Sequence, residues 1–405
     1  MKKALFTVAL LMSACFVSAQ KSVVKEAKSL KKDPAKAAVV IEKALTNQET
    51  ANDPETWKLA GDFQKAIYEE ENVKMFIPGG KADTTKMYTS LAKMCEYYMQ
   101  CDVVEQDAVA KGTAKKAKFR KKNAESVKTL RTNLLNGGVD AFNKTKYEDA
   151  LKYFGLFVDV AYSPLFEEDE AMKADTLNTL YANYAAMAAG AVKNSEAVIK
   201  YGNIGKVDKN EGWRSLMYMS EVYGNKENGD SAKWLEVIVE GANKFPKQDF
   251  FVGNMMDYYL QKGMVDEALG KIDELLTQNE TPYYLYVKSV LLLEKKQYDA
   301  SIECCNKVIA KNDILVAEAY AKIGDNYFMP AQELSQANSN LSVEDPKYNE
   351  NEAKVKELLG KAKPFYEKAK ELAPDNKPLW GQFLLNIYWK LNRAEYEALE
   401  KEING

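Results

Sequence analysis

Histidine is absent from all 405 residues. Its absence excludes Ser-His-Asp and Cys-His catalysis, histidine-ligated zinc or haem, and imidazole acid–base chemistry. No C-x-x-C pair occurs, so a thioredoxin-like redox site has no support. A strong excess of either charge is also missing. The 56 Lys and Arg oppose 59 Asp and Glu, a formal net charge of −3, which argues against a generally basic nucleic-acid binder. Beyond the first 19 residues no stretch holds about 18 uncharged apolar residues in a row, so no integral membrane span is expected. Disorder is excluded by what is present: 46% of the residues are hydrophobic and 11% aromatic, enough for a packed core.

The N-terminus reads as an export signal. Lys2 and Lys3 precede an apolar stretch over 4–17, and Val17-Ser18-Ala19 supplies small residues before Gln20. Residues 1–19 are therefore expected to be a signal peptide cleaved after Ala19. Lipidation at Cys15, which follows Leu11-Met12-Ser13-Ala14 and so resembles a bacterial lipoprotein box, stays open as the alternative. Loss of Lys2 and Lys3 leaves 54 basic and 59 acidic side chains, net −5. Four cysteines remain: Cys95, Cys101, Cys304 and Cys305. Six residues along a helix rise about 9 Å, beyond the roughly 7 Å a disulfide spans, so Cys95 and Cys101 pair only if the helix breaks. Cys304 and Cys305 are adjacent, which strains a bridge. Buried thiols acting as small apolar residues are the expectation.

The remainder of the chain repeats. Ala362, Tyr366, Ala369 and Pro374 are followed by Trp380, and Ala37, Ile41 and Ala44 by Pro54 and Trp57. Leu134, Gly137, Gly138 and Ala141 open a unit closed by Tyr147, Ala150 and Phe154. Others open at Leu177, Trp213, Val252, Tyr284 and Tyr320. Ala197, Ala232, Ala268 and Ala300 recur at spacings of 35, 36 and 32 residues, close to a period of about 34. Asp33-Pro34, Asp53-Pro54, Phe245-Pro246, Thr281-Pro282 and Pro374 punctuate the pattern where helices start or stop. In these motifs the chain resembles the tetratricopeptide-repeat family, as an exported bacterial member. The resemblance implies an all-α fold: a right-handed superhelical solenoid of antiparallel helix pairs. Domain organisation is expected as an irregular N-terminal region over 20–160 with an insertion at 71–112, central units over 161–327, a surface loop at 328–352, and C-terminal units with a capping helix over 353–405. Residues 84–99 are expected to be helical, with Met87, Leu91, Met94, Cys95 and Tyr98 on one side.

In this family the first helices of the units line a groove. That alignment makes Asn178, Arg214, Tyr218, Glu221, Asp257, Ser289 and Asp325 candidates for partner binding. The Lys and Asn clamp that some members use on a peptide carboxylate is not reproduced: Lys322 and Asn326 flank Gly324, with Asn326 one residue out of place. The strongest charge feature is 111–131, with nine basic residues and one acid, Glu125. A helix there carrying Lys115, Lys116, Lys118, Arg120, Lys121 and Lys122 suits an acidic partner or anionic lipid, or is simply a solvated face. Glu167, Glu168, Asp169 and Glu170 lack EF-hand spacing and read as acids favouring a helix N-terminus. Asp83-Thr84-Thr85, Asp175-Thr176-Leu177 and Asp230-Ser231-Ala232 resemble an O-glycosylation acceptor of some Gram-negative bacteria and also read as helix caps.

No catalytic residue, metal site or cofactor is called for. The expected function is a non-catalytic scaffold in the bacterial cell envelope, periplasmic or outer-membrane-associated if lipidated at Cys15. It would bind a protein or peptide and no nucleic acid, with peripheral membrane association open. The alternatives are a glycan-binding or uptake-associated surface protein, with aromatics clustered in 71–112 or 328–352, and a helical-toroid glycosidase using two carboxylates.

Overall fold

The structure, a computed structural model, describes residues 22–404 apart from 228 and 313. The expected signal segment, Ala19 and Cys15 lie outside the described residues. Among the described residues the regular structure is helical, with no strand. The chain divides after Val237 into two compact units.

In the first unit a helical segment over 22–29 precedes α1 (Pro34–Leu45), α2 (Pro54–Lys74), α3 (Thr84–Ala110), α4 (Arg120–Leu130), α5 (Asn133–Asn143), α6 (Tyr147–Ala161), α7 (Thr176–Ala191), α8 (Ser195–Gly205) and α9 (Gly212–Tyr223). The division falls within α10 (Ser231–Lys244). The second unit continues with α11 (Asp249–Gln261), α12 (Val265–Gln278), α13 (Pro282–Glu294), α14 (Tyr298–Ala310), α15 (Val316–Asn338), α16 (Pro346–Leu372), α17 (Lys377–Leu391) and α18 (Arg393–Asn404).

Helix starts follow their local chemistry. Asp33, Asp53 and Thr281 accept from Lys36 N–H at 3.1 Å, Glu55 N–H at 2.9 Å and Tyr284 N–H at 3.0 Å, and each is followed by proline at the first helical position. The cap satisfies an orphan donor, while proline sits where no N–H is needed. Asp83, Asp175 and Asp230 of the three glycosylation-like strings bond to the first amides of α3, α7 and α10. That is the capping role expected of them.

Within each unit, consecutive helices joined by short turns pack against each other, α6 on α7 among them, and first helices of neighbouring pairs also touch: α7 on α9, α11 on α13, α13 on α15 and α15 on α17. Small residues set the close approach. At Gly138 of α5 a Cβ would run into the Phe154 ring of α6, and at Gly324 of α15 it would sit 2.7 Å from the Tyr366 ring of α16. Ala182, Ala185, Ala186 and Ala189 of α7 are fully buried. Tyr181 of the same helix meets the rings of Phe154 and Phe157 at centroid distances of 5.5 and 5.7 Å. Met87, Leu91, Met94, Cys95 and Tyr98 form the expected buried stripe of α3. All four described cysteines are buried free thiols. Burial pushes Cys95 up to about 12 and Cys305 up to about 11.

Three expectations are corrected. Among the spaced alanines only Ala268 is fully buried; Ala197 is half-buried, while Ala232 and Ala300 are exposed. Buried positions on those helices include Val237, Ile238 and Ala242 on α10, and Ser301, Cys304, Cys305 and Val308 on α14. The period survives because the second helices begin at Ser195, Ser231, Val265 and Tyr298. Second, the surface loop at 328–352 is mostly helix. α15 continues through Pro330 to Asn338 with Phe328 and Ala331 buried, and α16 starts at Pro346. Third, the basic segment is not one helix: 111–119 is irregular, and the helix runs over Arg120–Leu130.

At the C-terminus α18 buries Leu399 against the cluster around Trp380 and Leu384, and Lys363–Glu395 at 2.7 Å fastens it to α16. Gly138→Ala is expected to destabilise the fold by about 1–3 kcal/mol through overpacking. Gly360→Ala, at an exposed interior position of α16 with open space around it, should stabilise by about 0.5–1 kcal/mol. Denaturant unfolding of both variants checks the opposite signs.

Candidate functional site

The basic segment is built on two buried acids of α3. Glu105 accepts from the backbone N–H of Phe119 at 3.0 Å and from that of Lys118, and it also receives the Arg120 N–H at 3.2 Å. It thus holds the first free amides of α4, where a carboxylate suits the positive end of the helix. Asp102, fully buried, takes Arg120 Nη1 at 3.2 Å on both oxygens. Burial raises the Asp102 carboxyl above the usual carboxylate range against the pull of Arg120. The other guanidinium nitrogen of Arg120 donates to the Pro164 carbonyl.

Arg131, at the far end, is buried as well. It stacks on Phe157 at 3.7 Å, donates Nε–H to the Phe157 carbonyl at 3.0 Å, bonds to Asn178, and lies 3.6 Å from the Asp175 carboxylate. Desolvation lowers its pKa. Two cations of the run are therefore internal supports. Lys111 and Lys128 are paired outside, with Asp107 at 2.6 Å and Asp169 at 2.7 Å.

Lys115, Lys116, Lys118, Lys121 and Lys122 remain. All five are exposed, and none of their ammonium groups has a carboxylate partner among the described residues. Lys115, Lys116 and Lys118 stand on the irregular 111–119 segment and Lys121 and Lys122 on the first turn of α4, which corrects the expectation of a single basic helix. Beside them an open cleft of about 600 Å³ lies between Arg120, Lys121 and Lys128 on one side and Glu168, Asp169 and Glu170 on the other. Asp169 caps the short helix Glu170–Lys173 through Met172 N–H at 3.1 Å, as its position in the sequence suggested. Among the described residues no group of three or more Cys, Asp or Glu is placed to hold a metal. No described helix is long and apolar enough to cross a membrane.

The groove candidates separate. Asn178 is fully buried, receiving Arg131 and donating to the Met172 carbonyl at 2.7 Å. Ser289 is fully buried, donating to the Tyr286 carbonyl at 2.6 Å. Both are structural and drop out as partner contacts. Asp325 is half-buried, taking Lys322 at 2.6 Å and the Tyr366 hydroxyl. Tyr218 packs its ring on Gly190, and burial raises its hydroxyl pKa. Arg214 bonds to Glu211 and lies 4.4 Å from the Trp213 ring. Glu221 and Asp257 are exposed. Asn326 is buried, bonded to Ser301 at 3.0 Å, so it is no clamp residue.

Sequence reasoning missed Asp102 and Glu105. Their signal was readable: both continue the stripe that runs through Leu91, Met94 and Tyr98 on α3, so carboxylates occupy core positions. Arg131→Ala is expected to cost about 3–5 kcal/mol, since it strips partners from a buried polar cluster. Lys121→Ala should stay within about 0.5 kcal/mol. Denaturant unfolding of the two variants measures the contrast.

No protein-family model matches the sequence, and no curated protein matches it. Solved structures with similar chain courses include a tetratricopeptide-repeat protein of Bacteroides fragilis, 16% identical, covering 64% of this chain and 99% of its own at a TM-score of 0.33. A tetratricopeptide-repeat protein of Parabacteroides merdae is 16% identical, covering 63% and 98% at 0.33. Yeast Tom70 is 11% identical, covering 95% and 91% at 0.30. The fold assignment rests on the helix pairs themselves. They recur at close to 34 residues, several start at a capped proline, and several close through a glycine against an aromatic ring; the fold is an all-α array of antiparallel helix pairs of the tetratricopeptide-repeat kind.

Proposed function

We propose that the protein is a non-catalytic, exported scaffold of the bacterial cell envelope that takes a protein or peptide partner with an acidic face. The observation that carries this reading is the set of five exposed lysines without an ion-pair partner at 115, 116, 118, 121 and 122, with the backbone amides of 118–120 in their midst held by Glu105. Elsewhere many surface lysines sit in ion pairs such as Lys144–Asp140 and Lys361–Glu357. Unpaired like charges held side by side repel one another, and a complementary surface relieves that repulsion while steering encounter. In the first unit the exposed Glu221 and the part-exposed Arg214 stay as further candidate contacts, and in the second unit so does the exposed Asp257. The apolar start over 4–17 supports export, with either a free chain from Gln20 or an acyl anchor at Cys15.

A second reading, glycan binding, is favoured by one feature. Trp389 is 59% exposed beside a cleft of about 300 Å³ lined by Gln332, Ser335 and Asn386. An aromatic face next to amides suits a sugar ring.

Cross-linking in cells tests the scaffold reading. One dominant envelope protein is expected in the cross-linked product. Lys115→Glu, Lys116→Glu, Lys121→Glu and Lys122→Glu together should reduce it by roughly tenfold or more. Undiminished cross-linking by that variant, or no protein attached to the parent, contradicts the reading. Glycan retention that is lost in Trp389→Ala would favour the second.

A further inference from the structure

The lysines at 115–122 do not stand on a uniformly basic surface. The open cleft beside them has an acidic side as well. The basic side, over 115–125, exposes Lys115, Lys116, Lys118, Lys121 and Lys122 against one acid, Glu125. That is a net charge of +4 once Arg120 is set against the buried Asp102. The acidic side, over 167–173, holds Glu167, Glu168, Asp169 and Glu170 against Lys173, a net charge of −3.

The neighbouring charges leave this contrast standing. Lys111 and Asp107 neutralise each other at 2.6 Å. Lys65 and Glu69 of α2, which share a second cleft with Lys122 and Glu125, pair at 3.4 Å. Lys128 and Asp169 join the two sides at 2.7 Å, and Glu170 takes Lys173 at 3.1 Å. What remains is five ammonium groups with Glu125 on one side and the carboxylates of Glu167 and Glu168 on the other. All are exposed, and none has a counter-ion within ion-pair distance among the described residues.

The two sides are held at a set separation. Glu105 fixes the amides of 118–120. Arg120 spends one guanidinium nitrogen on Asp102 and the other on the Pro164 carbonyl, so it pins the start of α4 to the turn that leads into the acids. Preorganised charges of this kind lose little freedom when a partner docks.

This arrangement constrains the partner. A uniformly acidic face laid over the lysines and the cleft also meets Glu167 and Glu168, and juxtaposed like charges cost affinity. The face that fits carries both signs at the same separation. The patch itself meets that condition. Turned about a two-fold axis across the cleft, the basic side of one copy lies on the acidic side of the other, and the contact is made twice. The spacing matches because the two surfaces are the same.

We propose that 115–125 and 167–173 form an isologous contact between two copies of this chain. The inference rests on the reading of the lysines as a partner surface and names the partner: a second copy, whose Glu167, Glu168 and Glu170 supply the acidic face. Leu165 and Phe166, the large apolar residues at the cleft, are buried within the chain. The contact is therefore charge-led, and assembly depends on concentration and weakens with salt.

Sedimentation velocity of the chain from Gln20, which retains every described residue, reads the assembly. The parent is expected to dimerise as its concentration rises in about 0.05 M salt and to return to monomer in about 0.5 M. One variant carries Lys115→Glu, Lys116→Glu, Lys121→Glu and Lys122→Glu; a second carries Glu167→Lys, Glu168→Lys and Glu170→Lys. Each alone should weaken dimerisation by about tenfold or more. Mixed in equal amounts they should dimerise again, since each reversed side then faces the opposite charge on the other copy. All seven residues are exposed, so unfolding midpoints should stay close to that of the parent. A monomeric parent, a dimer indifferent to both variants, or a mixture that does not recover overturns the inference. A monomeric parent that still cross-links a different protein in cells through these lysines overturns the second copy and keeps the scaffold reading. Recovery of the mixed dimer, with only the chain itself in the cross-linked product, supports the second copy and removes a foreign partner.

Discussion

Several helix pairs in this chain depend on the close approach of a small residue to an aromatic ring. A single pair exposes too much apolar surface to stand alone, so stability comes from stacking neighbours. Gly138 under Phe154 and Gly324 under Tyr366 set that approach at two points of the array. The buried alanines of α7 do the same over a whole helix, with Tyr181 filling the space toward α6. This requirement fixes the period of the helix starts. It leaves the outward positions free, and partner contacts have to be built there.

Where the repeat register weakens, buried carboxylates take over. Glu71, Asp102 and Glu105 all lie in the irregular stretch from α2 to α4. A buried charge is costly unless nearly every lone pair has a donor. Glu71 has three donors, and Glu105 receives three backbone amides. Asp102 has Arg120, with Gln106 at 3.5 Å. The two irregular segments, 75–83 and 111–119, are the ones these acids hold, and each presents side chains that are unsatisfied at the surface. In the first those side chains are apolar and in the second cationic. The polar interior of this region thus positions both outward features.

Much of the architecture was legible because periodicity and caps are local signals. The stripe on α3 and the Asp-Pro and Thr-Pro starts needed only spacing and cap chemistry. The groove residues were less legible. Neighbouring positions on a helix differ by about 100° in direction, so Asn178 and Ser289 fell inside, one step from the face intended. The same rotation put Ala300 outside and Ser301 inside. Residues 328–352 read as loop because Asn338, Ser339, Asn340, Ser342, Asp345 and Pro346 cluster there and apolar periodicity is lacking. The helix persists through Pro330 because Phe328 and Ala331 are buried on the same helix, which outweighs the lost N–H. The lysines of 111–122 looked like one helix because charge says nothing about backbone. The acid that shapes them, Glu105, sits on another helix, and only the fold brings it there.

The claim that ties these observations together is that a buried carboxylate holds the lysine-bearing segment in one conformation. Amide hydrogen exchange at Lys118, Phe119 and Arg120 tests it most directly. None of these N–H groups has a helical acceptor, and all three donate to Glu105. The account predicts protection at all three that disappears in Glu105→Ala, while amides in α6 keep theirs. Exchange at the rate of an unstructured peptide in the parent protein would contradict it.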